Sequence, residues 1–298
     1  MQSSPADTIE ERNGILLVSM PYASLEKPAL ALSILKAALL EQGIRSTVLY
    51  PNLEHGAEIG PHLYSMISHS YSHCLAGEWT FARSAFPDFE SDTGEYMAHI
   101  MPGLRTLANA TSASVEEMRE VLEYVRLRAG RFVERTATNI VAHRPRIVGC
   151  SSTFQQHCAA LALLRWVKEL DPSIVTLLGG ANCEAIMGVV THRECPWVDV
   201  VVSGEAEGLF PGLCRSILDA GDQGIPLEEV ALPAGAIGPA HRIEGYGALL
   251  QHPPRVSLDD MSASPMPDYD DYFASLRSAS IAALVKPGLL VETSRGCW

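Results

Sequence analysis

Cys297 sits in Val291-Glu-Thr-Ser-Arg-Gly-Cys-Trp298, a segment preceded by the apolar pair Leu289-Leu290. The run predicts a buried strand over residues 288–292 that delivers a thiolate into a loop relaxed by Gly296, which is how a first iron–sulfur ligand is presented. Cluster thiolates come in closely spaced sets. Here the set has a single member, so the sequence is expected to stop at the first ligand of a longer motif. A lone cysteine beside glycine and tryptophan is no motif by itself, and its meaning depends on what precedes it.

Three earlier loops share a character: Ser151-Ser-Thr153, Gly179-Gly-Ala-Asn182 and Ser203-Gly-Glu205, with Ser19 and Ser24 flanking a fourth. Small hydroxyls and glycines let backbone approach a large polar ligand and donate N–H groups at helix starts. Each loop alone reads as an ordinary helix cap, but three together point to a ligand. No G-x-G-x-x-G follows the first strand and no G-x-x-x-x-G-K-[ST] occurs, which argues against dinucleotides and P-loop nucleotides. A bulky non-nucleotide cofactor over the sheet edge remains. His69 and His73 stand four apart with Cys74 adjacent, a spacing that can bind zinc. Without H-E-x-x-H, and in a loop-like segment, they are read as surface or packing residues. Cys74, Cys150, Cys158, Cys183, Cys195 and Cys214 mostly fall in apolar contexts, where thiols act as small hydrophobes, and nothing local supports a Cys–His nucleophile.

The elements that must position these loops follow from hydrophobic pattern. Residues 14–20 form a continuous apolar run, the mark of a strand buried on both faces. Pro28 opens a helix over residues 29–42 in which Leu32, Leu35, Leu39 and Leu40 recur at helical spacing, and Gly43 stops it. Residues 45–50 make a second strand, giving a parallel βαβ unit. Residues 54–142 carry helical patterning and are read as a helical insertion, with a helix starting near Ser114 and acids Glu116 and Glu117 at its positive end. Alternation then resumes: strands over 147–150, 174–178 and 198–202, and helices over 154–170, 182–193 and 205–220. The pattern predicts an α/β fold, an open parallel sheet with helices on both faces and right-handed crossovers. Residues 221–257 read as irregular, 258–271 as an extended linker and 272–280 as a short helix.

Bulk properties bound the function. Apolar residues make up 47% of the 298 positions, enough for a sizeable core. Lysine and arginine total 22 against 35 acids, a net charge of −13 that disfavours nucleic acid and anionic membranes as partners. No apolar stretch has the length to span a bilayer, and residues 1–12 lack a signal-peptide core. The odd cysteine count, without a C-x-x-C pair, points to reduced thiols in the cytoplasm.

Several stretches together resemble a known family: Val18-Ser-Met-Pro-Tyr-Ala-Ser24, Leu75-Ala-Gly-Glu-Trp79, Ser152-Thr-Phe-Gln-Gln156, Leu178-Gly-Gly-Ala-Asn-Cys-Glu184, Val202-Ser-Gly-Glu205, Pro267-Asp-Tyr-Asp-Asp-Tyr-Phe273 and Glu292-Thr-Ser-Arg-Gly-Cys-Trp298. In this order they look like the cobalamin-dependent radical S-adenosylmethionine proteins that mature ribosomally made peptides, bacteriocins among them (the RiPP maturation radical SAM protein 1 group). The resemblance implies a flavodoxin-like, Rossmann-like cobalamin domain over residues 13–222 with its insertion at 54–142. A linker region over 223–287 follows, and then the start of a truncated radical SAM barrel at 288–298. It implies cobalamin contacts at Ser151, Ser152, Thr153, Gly179, Gly180, Asn182, Ser203, Gly204 and Glu205. It also implies a [4Fe–4S] ligand at Cys297, methyl transfer to a precursor peptide, and S-adenosylmethionine and the full cluster only in a longer form. Asp-x-His-x-x-Gly is missing, so cobalt is expected to lack that motif's histidine. With one cluster cysteine, the chain alone is not expected to turn over. A rival expectation is a non-catalytic peptide-binding or partner module on a Rossmann-like scaffold. An α/β hydrolase is weakened by the lack of a G-x-S-x-G elbow.

Overall fold

The computed structural model describes residues 14–70, 74–89, 93–111 and 114–295. Its described strands make one sheet in the order β2-β1-β3-β4-β5-β6. These are β1 (Ile15–Val18), β2 (Ser46–Leu49), β3 (Ile147–Ser151), β4 (Val175–Gly179), β5 (Val200–Val202) and β6 (Ala236–Ile237). The first five run parallel and β6 closes the edge antiparallel. Every residue of β1 is buried, as a central strand covered on both faces requires. Five of the expected strands are present with ends moved by one or two residues, and β6 is added from a stretch read as irregular.

Helices α1 (Leu30–Glu41), α7 (His157–Leu170), α8 (Ile186–Glu194) and α9 (Phe210–Gln223) connect the strands. Between β2 and β3 lies the expected helical insertion: α2 (Pro51–Ile59), α3 (Pro61–Ser65), α4 (Ala76–Ala85), α5 (Thr93–Thr111) and α6 (Val115–Ala142). At Ser114 the predicted helix start is a full capping box, in which Ser114 Oγ accepts from Glu117 N at 3.1 Å and Ser114 N donates to Glu117 Oε2 at 2.7 Å. Helices α4 and α6 pack on α7, and a cage of Tyr22, Tyr64, Phe81 and Phe132 surrounds the buried ring of His55.

Three helix starts differ from the sequence reading, two because a distant segment intervenes and one because of a local positive φ. Helix α7 begins at His157 rather than 154, since Glu78 on α4 accepts from the backbone N–H of His157 (2.9 Å) and Cys158 (2.6 Å). A carboxylate there meets the positive helix end. Just before it, Gln155 turns left-handed (φ 62°) and accepts from Gly77 N at 2.7 Å. The helix expected over 182–193 splits into a 3₁₀ turn (Ala181–Cys183) and α8, with Ala185 at φ 51° between them. The one expected from 205 begins at Phe210, because residues 203–205 pair with another segment: Val256 N donates to Ser203 O (3.1 Å) and Glu205 N to Val256 O (2.9 Å).

Residues 223–287 pack back onto the domain. Beyond β6 they form α10 (Ala240–Glu244), α11 (Gly247–Gln251) and α12 (Asp270–Ser278). Arg242 donates to the carbonyls of His192, Cys195 and Val198, at 2.9, 3.2 and 2.9 Å, closing the end of α8. At the far edge α12 docks on β2, where Asp271 Oδ2 accepts from Val48 N at 2.8 Å and Lys36 lies 2.8 Å from the same oxygen. The buried strand expected over 288–292 is not formed. The segment has no strand partner among the described residues, and Leu289 and Val291 are 62% and 80% exposed.

Candidate cofactor cavity at the carboxyl edge of the sheet

Strand order reverses between β1 and β3, and in open α/β sheets that switch point is where ligands settle, beyond the carboxyl strand ends. A cavity of about 270 Å³ opens beside it, over β3, β4 and β5 with Leu17 of β1, between the sheet and helices α1 and α9. Its floor follows from strand register: Leu17 pairs with Gly149, and Gly149 with Leu177. A Cβ at Gly149 would stand 3.1 Å from Leu17 Cδ2 and 3.7 Å from Leu177 Cβ, so glycine leaves the hollow between two leucines. Leu32, Leu35 and Phe210 wall it from the helices.

Of the nine residues expected to meet a cofactor, Ser151, Gly179, Gly180, Gly204 and Glu205 line this cavity. Ser152, Thr153, Asn182 and Ser203 are not among its lining and hold loops to one another. Asn182 Nδ2 donates to Ser152 Oγ at 3.0 Å, and that hydroxyl also meets His157 Nδ1 at 3.1 Å. Ser203 Oγ accepts from Ala185 N at 2.7 Å and donates to Pro254 O at 2.6 Å. Two glycines serve close backbone approaches: a Cβ at Gly180 (φ 95°) would lie 2.6 Å from Ser152 O, and one at Gly204 (φ 98°) 2.0 Å from Val256 O.

The sequence reading named Glu205 but missed Glu207, Glu292 and Arg295 at the cavity mouth. Arg295 pairs with the largely buried Glu207, approaches Glu205 at 3.6 Å and binds Glu292 at 2.8 Å, and Glu292 and Arg295 both line the cavity. The hydrogen bond from Arg295 holds the Glu292 carboxyl below its ordinary range. The only sequence signal was the E-x-E spacing of Glu205 and Glu207 after β5. Burial pushes the thiols of Cys183 and Cys214 up to about 12 and that of Cys150 higher still, so they stay protonated and inert. His69 is exposed and bonds locally to Ser68 at 2.8 Å, while His73 and Cys297 lie outside the described residues. No group of three or more His, Cys, Asp or Glu that could hold a metal occurs among the described residues.

The cavity's size and lining decide what fits. About 270 Å³ is below the range of roughly 300–1,000 Å³ usual for whole small-molecule sites. It suits one apolar ring, with the glycine and hydroxyl strand ends as a rim for a larger body. That fits a cobalamin, whose bulky corrin carries a smaller aromatic base. The described residues do not fit an iron–sulfur cluster.

Sheet order and cavity define a doubly wound α/β domain of the flavodoxin-like order, 2-1-3-4-5, with an antiparallel edge strand added. No protein-family model matches the chain. Over 153 residues it is 29% identical to an uncharacterised methyltransferase of Pyrococcus horikoshii, covering 51% of this chain and 30% of that protein. Over 91 residues it is 33% identical to the anaerobic magnesium-protoporphyrin IX monomethyl ester cyclase of Rubrivivax gelatinosus, covering 30% of this chain and 16% of the relative. The chain therefore matches less than a third of the length of either relative. Among solved structures, the radical S-adenosylmethionine methyltransferase TsrM of Kitasatospora setae aligns with 75% of this chain and 28% of its own, at 13% identity and a TM-score of 0.35. No described helix is long and apolar enough to cross a membrane.

Proposed function

We propose that this chain is the cobalamin-binding portion of a radical S-adenosylmethionine enzyme that methylates a ribosomally made peptide in the cytoplasm. The observation that carries the reading is the glycine-floored apolar cavity over β3, β4 and β5, beside the switch point between β1 and β3. The similarity to a methyltransferase over half of the chain supports the methylation chemistry, and the ordered motifs described above support the peptide class.

Cobalamin, when bound, supplies methyl transfer. The chain's residues have simpler tasks. Leu17, Leu177, Leu32 and Phe210 exclude water from an apolar appendage of the cofactor, and Gly149 and Gly179 leave room for it. Ser151 and Gly180, which line the cavity, would form part of the rim that holds the larger body. Arg295, held by Glu207 and Glu292, keeps the acids at the mouth paired, so that an apolar group does not meet bare carboxylates.

Titration of the purified chain with hydroxocobalamin, followed by visible spectroscopy, tests this. Saturable binding at micromolar cofactor is expected. Gly179→Val should weaken it by about tenfold or more, a loss of at least about 1.4 kcal/mol. A Cβ at position 179 meets Val202 only at ordinary contact distances, 3.5 and 3.7 Å, so Gly179→Ala should keep the parent's melting temperature within a few degrees, and the melting temperature of Gly179→Val is measured beside it as the control for folding. Absence of binding at micromolar cofactor would reject the reading.

A further inference from the structure

A second concavity lies away from the sheet edge, between helices α4, α6 and α7, with about 1110 Å³ of space. That exceeds the roughly 300–1,000 Å³ usual for small-molecule pockets, so a polymer segment suits it better. Its charge runs against that of the chain. Acids outnumber lysine and arginine 35 to 22 overall, yet this lining has Arg83, Arg126, Arg131 and Arg165 against Glu123 and Glu134.

These cations are not equally engaged. Arg165 pairs with Glu169 at 2.8 Å. Arg126 lies 4.2 Å over the Trp79 ring, which stacks on Tyr96 at 4.8 Å and 7°, a three-layer platform. Arg83 and Arg131 are exposed and have no ion-pair partner among the described residues. Burial, and then the charge of Arg83, lower the pKa of Arg126. Apolar contacts are offered beside them, since Phe89 and Leu127 stand 71% and 77% exposed. A partner should therefore carry carboxylates interleaved with large apolar side chains. Nucleic acid matches poorly, because two glutamates stand in the groove and a net charge of −13 surrounds it.

We propose that the groove between α4, α6 and α7 docks an acidic, apolar-interleaved segment of the precursor peptide, away from the residue to be modified. The inference rests on the peptide-substrate part of the proposed function and not on cobalamin binding. Arg83 and Arg131 engage carboxylates, and Phe89 and Leu127 take the apolar side chains.

Fluorescence anisotropy tests it with the complete chain and a short fluorescein-labelled peptide alternating Glu with Leu and Phe. Saturable binding is expected, weakened by salt. The Gln-for-Glu version of the peptide should bind about tenfold more weakly, as should the Arg83→Ala/Arg131→Ala double variant toward the original. An Arg83→Lys/Arg131→Lys variant should recover part of the loss. Both positions are exposed, so hydroxocobalamin binding and the melting temperature should stay at parent values, and a shared loss of all three would instead report misfolding. Equal binding of the neutral peptide, an unaffected well-folded alanine variant, or tighter binding of a fluorescein-labelled oligothymidylate overturns the proposal. A failed corrinoid titration leaves it standing.

Discussion

His55 shows how far one residue departs from what its type suggests. It lies on α2 of the helical insertion, upstream of His69 and His73. Its ring is fully buried, ringed by aromatics, and neither nitrogen has a hydrogen-bond partner among the described residues. Burial, with help from Arg135 and Arg128, pulls its pKa down to about 3. The ordinary value is about 6.5, so the unfolded chain takes up this proton first. Its neutral form contributes fully above the ordinary imidazole range, and the contribution drains away as pH falls from there toward about 3. His55→Phe should flatten the fall of urea stability between neutral and mildly acidic pH, and an unchanged slope would count against it. At this scale the sequence showed the small residues of the strand ends but not what they face. Ser-Gly-Glu after β5 is equally a ligand loop and a docking point for Val256, and only tertiary pairing separates the two.

At the scale of elements, strands were read well because burial on both faces writes itself as a continuous apolar run. The insertion and the Ser114 cap were likewise visible, being local. Helix starts at 157, 186 and 210 were not, since Glu78, the left-handed Ala185 and Val256 decide them from outside the local pattern or against it. The aspartates read as a linker prove to be an edge guard. Strand β2 ends the sheet, and Asp271 of α12 takes the N–H of Val48 and the charge of Lys36. Exposed edges invite pairing with other chains. Asp271→Ala should cost about 1–3 kcal/mol, the usual penalty for stranding a desolvated donor. It should also raise concentration-dependent association by light scattering. A change in neither quantity would mean that α12 holds the edge without that carboxylate.

For the whole molecule, two concavities lie on different parts of the domain: an apolar cavity between α1, α9 and the sheet, and an arginine-bearing groove between α4, α6 and α7. That division was half readable. The glycine and serine strand ends beside the cavity were legible from alternation and strand-end composition. The groove depends on residues from Trp79 to Trp166 meeting in space, which no local pattern announces. One consequence concerns time rather than contacts. The central strand β1 finds β2 soon after synthesis, but its other neighbour, β3, arrives only after the whole insertion, with Ile15 beside Ile147. Pairings so distant in sequence fold slowly. Refolding from urea should therefore show an early helical phase in the far-ultraviolet and a later one in which the sheet completes. During that interval the open side of β1 is an unpaired strand edge, of the kind that invites pairing with other chains.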